Sequence, residues 1–411
     1  MTTARAPRRI LVVGGGVAGG SAALAIRDAG FDGDVELVGA EPRHPYERPP
    51  LSKAFLRGEI EGERLRLRPP STWEERGIES STGEEVVAVD PAAGEATFAG
   101  GATAAFDHLV LATGARNRRL DAPGVDLEGV FDLRTVDDAL DLREAATPGR
   151  RAVVVGMGFI GSEVAASLRA LGVEVTAIVS GNWPLDRVLG PEVGAALAAV
   201  HEEHGVRLLP RSTFAGFEGS GGSVRAAMTE DGRRIECDIA VVGVGVQPNV
   251  ELAQAAGLEV ADGVAVDELC RASAPNVFAA GDVASFPPVG GDGRVRIEHF
   301  QHAVKHGRAA GLSAAGHGEP FAEVPWFWSE QYDQRVEYAG HHRTWDAFEL
   351  RGSLADRRFL GFFCERGVMK AVVSLNRQQE LRHAMPAIGR EVDPALLRDE
   401  DVDLRELAGT H

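Results

Sequence analysis

Cysteine is scarce in this chain: three in 411 residues, Cys237, Cys270 and Cys364, with no C-x-x-C pair among them. That excludes a C-x-x-C disulfide centre and a clustered zinc or iron–sulfur site, and predicts that each cysteine is a buried small hydrophobe. Long apolar runs are missing as well. Charged residues make up 25% of the chain and interrupt its aliphatic stretches, so nothing approaches the roughly 20 apolar residues of a membrane-crossing helix. The opening "MTTARAPRRI" is basic but lacks the apolar core and small-residue cleavage site of a signal peptide, which predicts a cytoplasmic protein. Basic residues are outnumbered, 43 Lys and Arg against 61 Asp and Glu. The resulting charge of −18 argues against nucleic acid or a membrane surface as partner, since both attract positive surface.

Glycine, by contrast, is plentiful, with 50 copies, and two clusters of it share one pattern. "RRILVVGGGVAGGSAALAIRDAG" reads as a short strand, a turn with Gly14, Gly16 and Gly19 in G-x-G-x-x-G spacing, and an Ala-rich helix. "RRAVVVGMGFIGSEVAASLRALG" repeats the device with Gly156, Gly158 and Gly161. In such a turn the first glycine allows the tight bend, the second lets backbone approach a pyrophosphate, and the third lets helix pack on strand. The free N–H groups and positive dipole end of the helix then meet the anion. One such turn is weak evidence; two, each between strand and helix, point to two dinucleotide sites. Val17 and Ala18 in the first turn, and Phe159 and Ile160 in the second, complete the candidate cradles.

The strands that follow bear on which nucleotide each unit takes. "DVELVGAE" ends near Glu41, where a carboxylate can accept both hydroxyls of an adenine ribose. The second unit has Ser180 at the comparable place, with Arg187 the nearest arginine, so NADH and NADPH both stay open. Two more apolar strands deliver chemistry at their ends: "FDHLVLATGAR" carries Ala112, Thr113 and Gly114, and "APNVFAAGDVASFP" carries Gly281 and Asp282. From about Pro325, short β-rich runs such as "RVEYAG" and "VMKAVVSLN" and a helical tail predict a small separate α/β domain.

Together these segments resemble the two-dinucleotide-binding-domain flavoproteins. The resemblance implies an α/β fold of two Rossmann-like dinucleotide-binding domains, glutathione-reductase-like, plus the small C-terminal α/β domain. It implies a discontinuous FAD domain, 1–115 and 247–324, an NAD(P)H domain, 116–246, inserted in it, and a C-terminal domain, 325–411. Asp282 would reach the ribityl chain of FAD, Ala112, Thr113 and Gly114 would close the flavin domain, and Gly245 in "VVGVGVQPN" would lie at the NAD(P)H site.

Within that group "PYERPPLSKAFL" discriminates, because Lys53 stands where disulfide and peroxide reductases carry a redox cysteine, and no cysteine precedes Cys237. With "LRTVDDA", "GMGFIGSEVA", "RVLG" and "PWFWSEQYD" it is similar to the ferredoxin reductases of bacterial oxygenase systems: the putidaredoxin, Rieske dioxygenase and rubredoxin reductases. The resemblance covers essentially the whole chain. It implies that Lys53 sits near flavin N5 and pairs with Glu163. It also implies that Arg48 and Pro49 line the flavin and that Trp328 stands over the nicotinamide pocket. "RIEHFQHAVKHGRAAG" matches the family's flavin-proximal helix, giving Glu298 and His299 as polar contacts and Phe300 where many members have tryptophan.

The implied activity is transfer of electrons from NADH or NADPH through FAD to a [2Fe–2S] ferredoxin, which in turn serves a cytochrome P450 or a Rieske oxygenase. A rubredoxin, monodehydroascorbate, or a redox-sensing role like that of apoptosis-inducing factor are the alternatives. The expected partner is an acidic ferredoxin, with the chain itself a monomer or weak homodimer. Since the chain is acidic too, docking calls for a local basic rim, for which Arg64, Arg66, Arg68, Lys305 and Arg308 are the candidates.

Overall fold

The computed structural model describes residues 7–288 and 293–408. By internal contacts the chain falls into two compact units. The first takes residues up to Glu47, Leu65–Arg116 and Gln247–Phe327, and the second takes Arg48–Arg64, Asn117–Val246 and the chain from Trp328 on.

The first unit is organised by a five-stranded parallel sheet in the order Val277–Ala279, His108–Leu111, Arg9–Val13, Asp34–Gly39, Ile78–Thr82. The strands RILVV, HLVL and VFA are apolar almost throughout, as a parallel sheet covered on both faces requires, while the edge strand IESST is polar and partly exposed. Alternation along Arg9–Val13 separates the two covers. Ile10 and Val12 pack with Ala22 and Ile26 of the Val17–Asp28 helix and with Ala310 and Ala314. Leu11 and Val13 share the other face with Leu109, Leu111, Val277 and Ala279 of the neighbouring strands, in a cluster that includes Ala96, Phe98 and Ala104. The Phe300–Ala314 helix lies against the first helix through Gly307 and Gly311, where an added Cβ would come 2.2 Å from Ala18 O and 2.3 Å from Ala22 O. Helix–helix contact this close admits no side chain at those two positions.

The second unit repeats the architecture: Arg207–Leu209, Glu174–Ile178, Arg151–Val155, Ile239–Val242 and Val130–Phe131, in that order and all parallel. The Phe159–Ala170 helix follows the central strand. The next helix, Asp186–Glu203, is kinked at Gly190, which takes φ 77° and ψ 164° ahead of Pro191. Proline disfavours the helical conformation in its predecessor, and glycine tolerates the positive φ adopted instead. A five-stranded sheet of strands Trp326–Gln331, Gln334–Gly340, Val368–Leu375, Arg358–Glu365 and Ala347–Ser353 follows late in the chain, with two short helices after it, Gln378–Ala384 and Pro394–Arg398. Among the described residues no helix is long and apolar enough to cross a membrane.

Candidate functional site

Each glycine turn has the geometry its spacing predicts. In the first unit Gly14 takes φ 126°, and a Cβ there would lie 2.1 Å from Ala112 O; one on Gly19 would lie 1.9 Å from Gly14 O. Gly16 differs: a Cβ on it would meet nothing within 4 Å. It caps the Val17–Asp28 helix in an extended conformation with no side-chain hydrogen bond to the first-turn N–H groups. The second unit repeats all three features. A Cβ on Gly156, at φ 90°, would meet Gly243 O at 2.5 Å, one on Gly161 would meet Gly156 O at 2.0 Å, and one on Gly158 would meet nothing within 4 Å. Gly158 likewise caps its helix without a side chain. Two glycines of each turn thus bring backbone onto backbone, and the third faces open space at an uncapped helix N-terminus. That is the shape and polarity of a pyrophosphate cradle, and it fits FAD in the first unit and NAD(P)H in the second.

Around the first cradle, Val17 is half-buried and Ala18 buried. Gly281 takes φ 75°, and a Cβ there would lie 2.7 Å from that of Ala18, so Asp282 enters a short 3-10 turn packed against the first helix. Glu41 follows the Asp34–Gly39 strand and accepts a 2.6 Å hydrogen bond from the Tyr46 hydroxyl. Thr113 and Asn249 clamp each other: Thr113 Oγ1 donates to Asn249 O and Asn249 Nδ2 to Thr113 O, both at 2.8 Å, with Gly114 at φ 67° beside them. Glu298 pairs with Arg296 at 2.5 Å, and the His299 ring lies 4.1 Å from that of Phe327, next to Phe300 at the helix start.

In the second unit, Phe159 and Ile160 open the helix, and Ile160 remains 45% exposed, an apolar side chain presented at the cradle's mouth. Ser180 is exposed just beyond the Glu174–Ile178 strand, with Arg187 Nη2 3.5 Å from its hydroxyl. Gly245 takes φ 96° with open space around it. Trp328 is half-buried, the Arg335 guanidinium 5.8 Å from its ring centroid.

Lys53 and Glu163 meet, although 110 residues separate them. Lys53 Nζ lies 2.6 Å from Glu163 Oε2, with the lysine 8% and the glutamate 3% exposed. Arg48–Arg64 belongs to the second unit, and within it Pro49 and Pro50 start the 3-10 turn Pro49–Ser52 that ends at Lys53. Arg48 precedes that turn and donates to Arg134 O at 2.5 Å. Besides Glu163, Lys53 Nζ donates to Pro49 O at 2.9 Å and Ser52 Oγ at 3.3 Å, using all three of its protons. Glu163 accepts from Ser52 Oγ at 2.5 Å on Oε2 and from Ser329 Oγ at 2.7 Å on Oε1. A buried ion pair persists only when its remaining hydrogen-bonding capacity is met in this way. Glu163 lies two residues past Gly161, whose close approach to Gly156 O seats the helix against its strand, and it is buried with the residues on either side of it.

Sequence reading missed Ser52 and Ser329. Ser52 is the immediate neighbour of Lys53, and Ser329 lies in "PWFWSEQYD", but neither residue type signals a role before the carboxylate's surroundings are known.

Of the five candidate rim cations, two are paired with carboxylates and a third donates to a backbone carbonyl. Lys305 pairs with Glu323 at 2.5 Å, Arg308 with Asp28 at 3.0 Å, and Arg68 donates to Leu67 O at 2.8 Å. The cysteines are all buried. Burial pushes the Cys237 and Cys364 thiols up to about 11 and that of Cys270 further, so none is a thiolate near neutral pH. Among the described residues no group of three or more His, Cys, Asp or Glu side chains could hold a metal ion.

Comparison with known proteins matches residues 8–307 to the pyridine nucleotide-disulphide oxidoreductase family and residues 326–408 to the reductase C-terminal family. The chain is 37% identical to the rhodocoxin reductase of Rhodococcus erythropolis, covering 98% of this chain and 95% of that one. It is 36% identical to the ferredoxin–NAD(+) reductase subunit of the benzene 1,2-dioxygenase system of Pseudomonas putida, covering 97% of each. Among solved structures it superposes on the covalent putidaredoxin reductase–putidaredoxin complex with a TM-score of 0.95 at 34% identity, covering 98% of this chain and 99% of that one.

Proposed function

The chain belongs to the pyridine nucleotide-disulphide oxidoreductase family, and from that premise we propose that it is an FAD-dependent NAD(P)H:ferredoxin reductase. It passes electrons to a [2Fe–2S] ferredoxin that serves a cytochrome P450 or a Rieske-type oxygenase. One relative named above is the ferredoxin–NAD(+) reductase subunit of a dioxygenase system, and the observation in this chain that carries the reading is the buried Lys53–Glu163 pair. A family that works through a disulfide needs a low-pKa thiol beside its flavin. Here a fixed, paired ammonium stands in the corresponding stretch, and every thiol lies elsewhere and is buried.

FAD, when bound, supplies the hydride-accepting ring and the conversion of a two-electron donor into single-electron steps. The chain supplies position and charge. Gly14, Gly16 and Gly19, with Val17, Ala18, Glu41, Ala112, Thr113, Gly114 and Asp282, would hold FAD. Gly156, Gly158, Gly161, Phe159, Ile160, Ser180, Arg187 and Gly245 would hold NAD(P)H. Lys53 keeps a positive charge at one point, and Glu163 keeps that charge compensated during burial. Arg48, Pro49, Glu298, His299, Phe300 and Trp328 complete the flavin and nicotinamide surroundings. On this reading the FAD domain is 1–115 with 247–324, the nucleotide domain 116–246 and the C-terminal domain 325–411, and the protein works in the cytoplasm.

The test is reduction of a purified [2Fe–2S] ferredoxin by the FAD-loaded protein with NADH or NADPH, followed through the cluster's visible absorbance. Catalytic bleaching of the cluster supports the reading. Nucleotide oxidation that reduces a rubredoxin or a quinone but never a [2Fe–2S] ferredoxin would replace it.

A further inference from the structure

Glu163 has a second carboxylate oxygen, and what it holds leads away from Lys53. Ser329 Oγ is 2.7 Å from Glu163 Oε1, and Gln331 Nε2 is 3.4 Å from Ser329 Oγ. His201 Nε2 is 3.0 Å from Gln331 Oε1, and Tyr332 OH is 3.2 Å from His201 Nδ1. Ser329, Gln331 and His201 are each 0% exposed, and all of these residues lie in the second unit. Ser329 and Gln331 are two apart on one strand, so both turn inward while Glu330 between them faces solvent.

The direction of every bond follows from its inner end. A carboxylate only accepts, so the Ser329 hydroxyl donates to it, and its oxygen then receives the Gln331 amide N–H. The Gln331 carbonyl must therefore face His201, which puts the imidazole proton on Nε2 and leaves Nδ1 to accept from Tyr332. Burial keeps that ring neutral, pushing its pKa down to about 4, so it has one proton to place. Four successive donors point the same way, towards Glu163, and bonds aligned head to tail polarise one another.

We propose that Ser329, Gln331, His201 and Tyr332 form a one-directional hydrogen-bond chain that positions the Glu163 carboxylate, and through it the Lys53 ammonium, for the reductase chemistry. The inference rests on the proposed ferredoxin-reductase function and goes further by assigning residues beyond the ion pair. None of the four touches Lys53; they are positioning residues. The chain orients without conducting, because a proton hop through Gln331 would require its amide to pass through the imidic acid form. Apolar residues could fill the same volume without the cost of desolvating these groups, and the aligned polar chain gives the carboxylate a fixed orientation in exchange.

The experiment compares FAD-loaded wild type with Glu163→Gln, Gln331→Leu, Ser329→Ala and the double variant Glu163→Gln/Gln331→Leu. Two quantities are read: the midpoint potential of the bound flavin by dye equilibration, and the rate of its reduction by NADH or NADPH. Gln331→Leu is expected to move the potential with the same sign as Glu163→Gln and by less, and to slow reduction about three- to tenfold, the size of coupling within one network. In the Glu163→Gln background it should add nothing. An unchanged potential and rate in Gln331→Leu, or a shift that persists in full in the double variant, overturns the inference. Should Gln331→Leu fold poorly, Ser329→Ala removes a single oxygen and is read against Glu163→Gln in the same way. A wild type that takes up FAD but is reduced by neither nucleotide overturns the proposed function itself, before any variant is compared.

Discussion

Lys53 Nζ and Glu163 Oε2 lie 2.6 Å apart inside the second unit, joining a Pro-Pro turn to the Phe159–Ala170 helix. Removing one partner leaves an uncompensated buried charge, a loss of about 3–5 kcal/mol, whereas removing both leaves none. Lys53→Met should therefore lower the denaturant midpoint strongly, and Lys53→Met/Glu163→Leu should recover most of that loss. A double variant as unstable as the single one would show that the pair is not what the lysine contributes.

The glycines of the two turns separate packing from binding. Gly19→Ala and Gly161→Ala would place a methyl within 1.9 Å and 2.0 Å of a backbone oxygen, and should destabilise the apoprotein by about 1–3 kcal/mol. Gly16→Ala and Gly158→Ala meet open space and should leave apoprotein stability nearly unchanged. Gly16→Ala should instead weaken FAD retention, and Gly158→Ala should raise KM for the nicotinamide nucleotide about tenfold, equivalent to ~1.4 kcal/mol. Calorimetry of the apoprotein together with flavin titration distinguishes the two classes.

On the proposed function, Ser180 stands where the adenine ribose would be read. Ser180→Glu adds a carboxylate that accepts ribose hydroxyls and repels a 2′-phosphate, so the kcat/KM ratio of NADPH to NADH should fall about tenfold or more. An unchanged ratio would mean that this loop does not contact the ribose.

Acid stability depends on three buried histidines. Burial pushes His201 down to about 4 and His306 to about 3, and lowers His302 well below its ordinary value. Each folded-state pKa lies below the unfolded one, so between about pH 6.5 and 4 the unfolded chain binds more protons. Stability is fully present above about pH 6.5 and declines as pH falls, by roughly 1.4 kcal/mol per pH unit for each histidine once well below 6.5. Urea midpoints measured from pH 7.5 to 4.5 should show this slope, and His306→Leu should make it shallower by about one proton. A flat profile would contradict neutral burial of these rings.

Much of this was legible in the sequence, for physical reasons. A parallel strand feeding a helix through G-x-G-x-x-G is a local device, and both sheets formed where it occurs, with the glycines in the roles their spacing predicts. The family was legible too, because motifs such as "PYERPPLSKAFL" extend along the chain and the family match spans residues 8–307. The surroundings of the ion pair were not legible. Ser52, Ser329, Gln331 and His201 come from a turn, a strand and a helix far apart in sequence, and period-two burial at Ser329 and Gln331 looks like any half-buried strand until its neighbours are placed. Charge pairing was not legible either: the sequence does not place Glu323 beside Lys305 or Asp28 beside Arg308.

The central claim is that nicotinamide electrons reach a one-electron carrier through FAD held by this chain. Anaerobic mixing of the FAD-loaded protein with NADH and, separately, with NADPH tests it most directly, with oxidised [2Fe–2S] ferredoxin added once flavin absorbance has settled. The account predicts rapid bleaching by at least one nucleotide and prompt return of the flavin colour when ferredoxin arrives. A flavin that bleaches but stays reduced in the presence of the ferredoxin, or that neither nucleotide reduces, would contradict it.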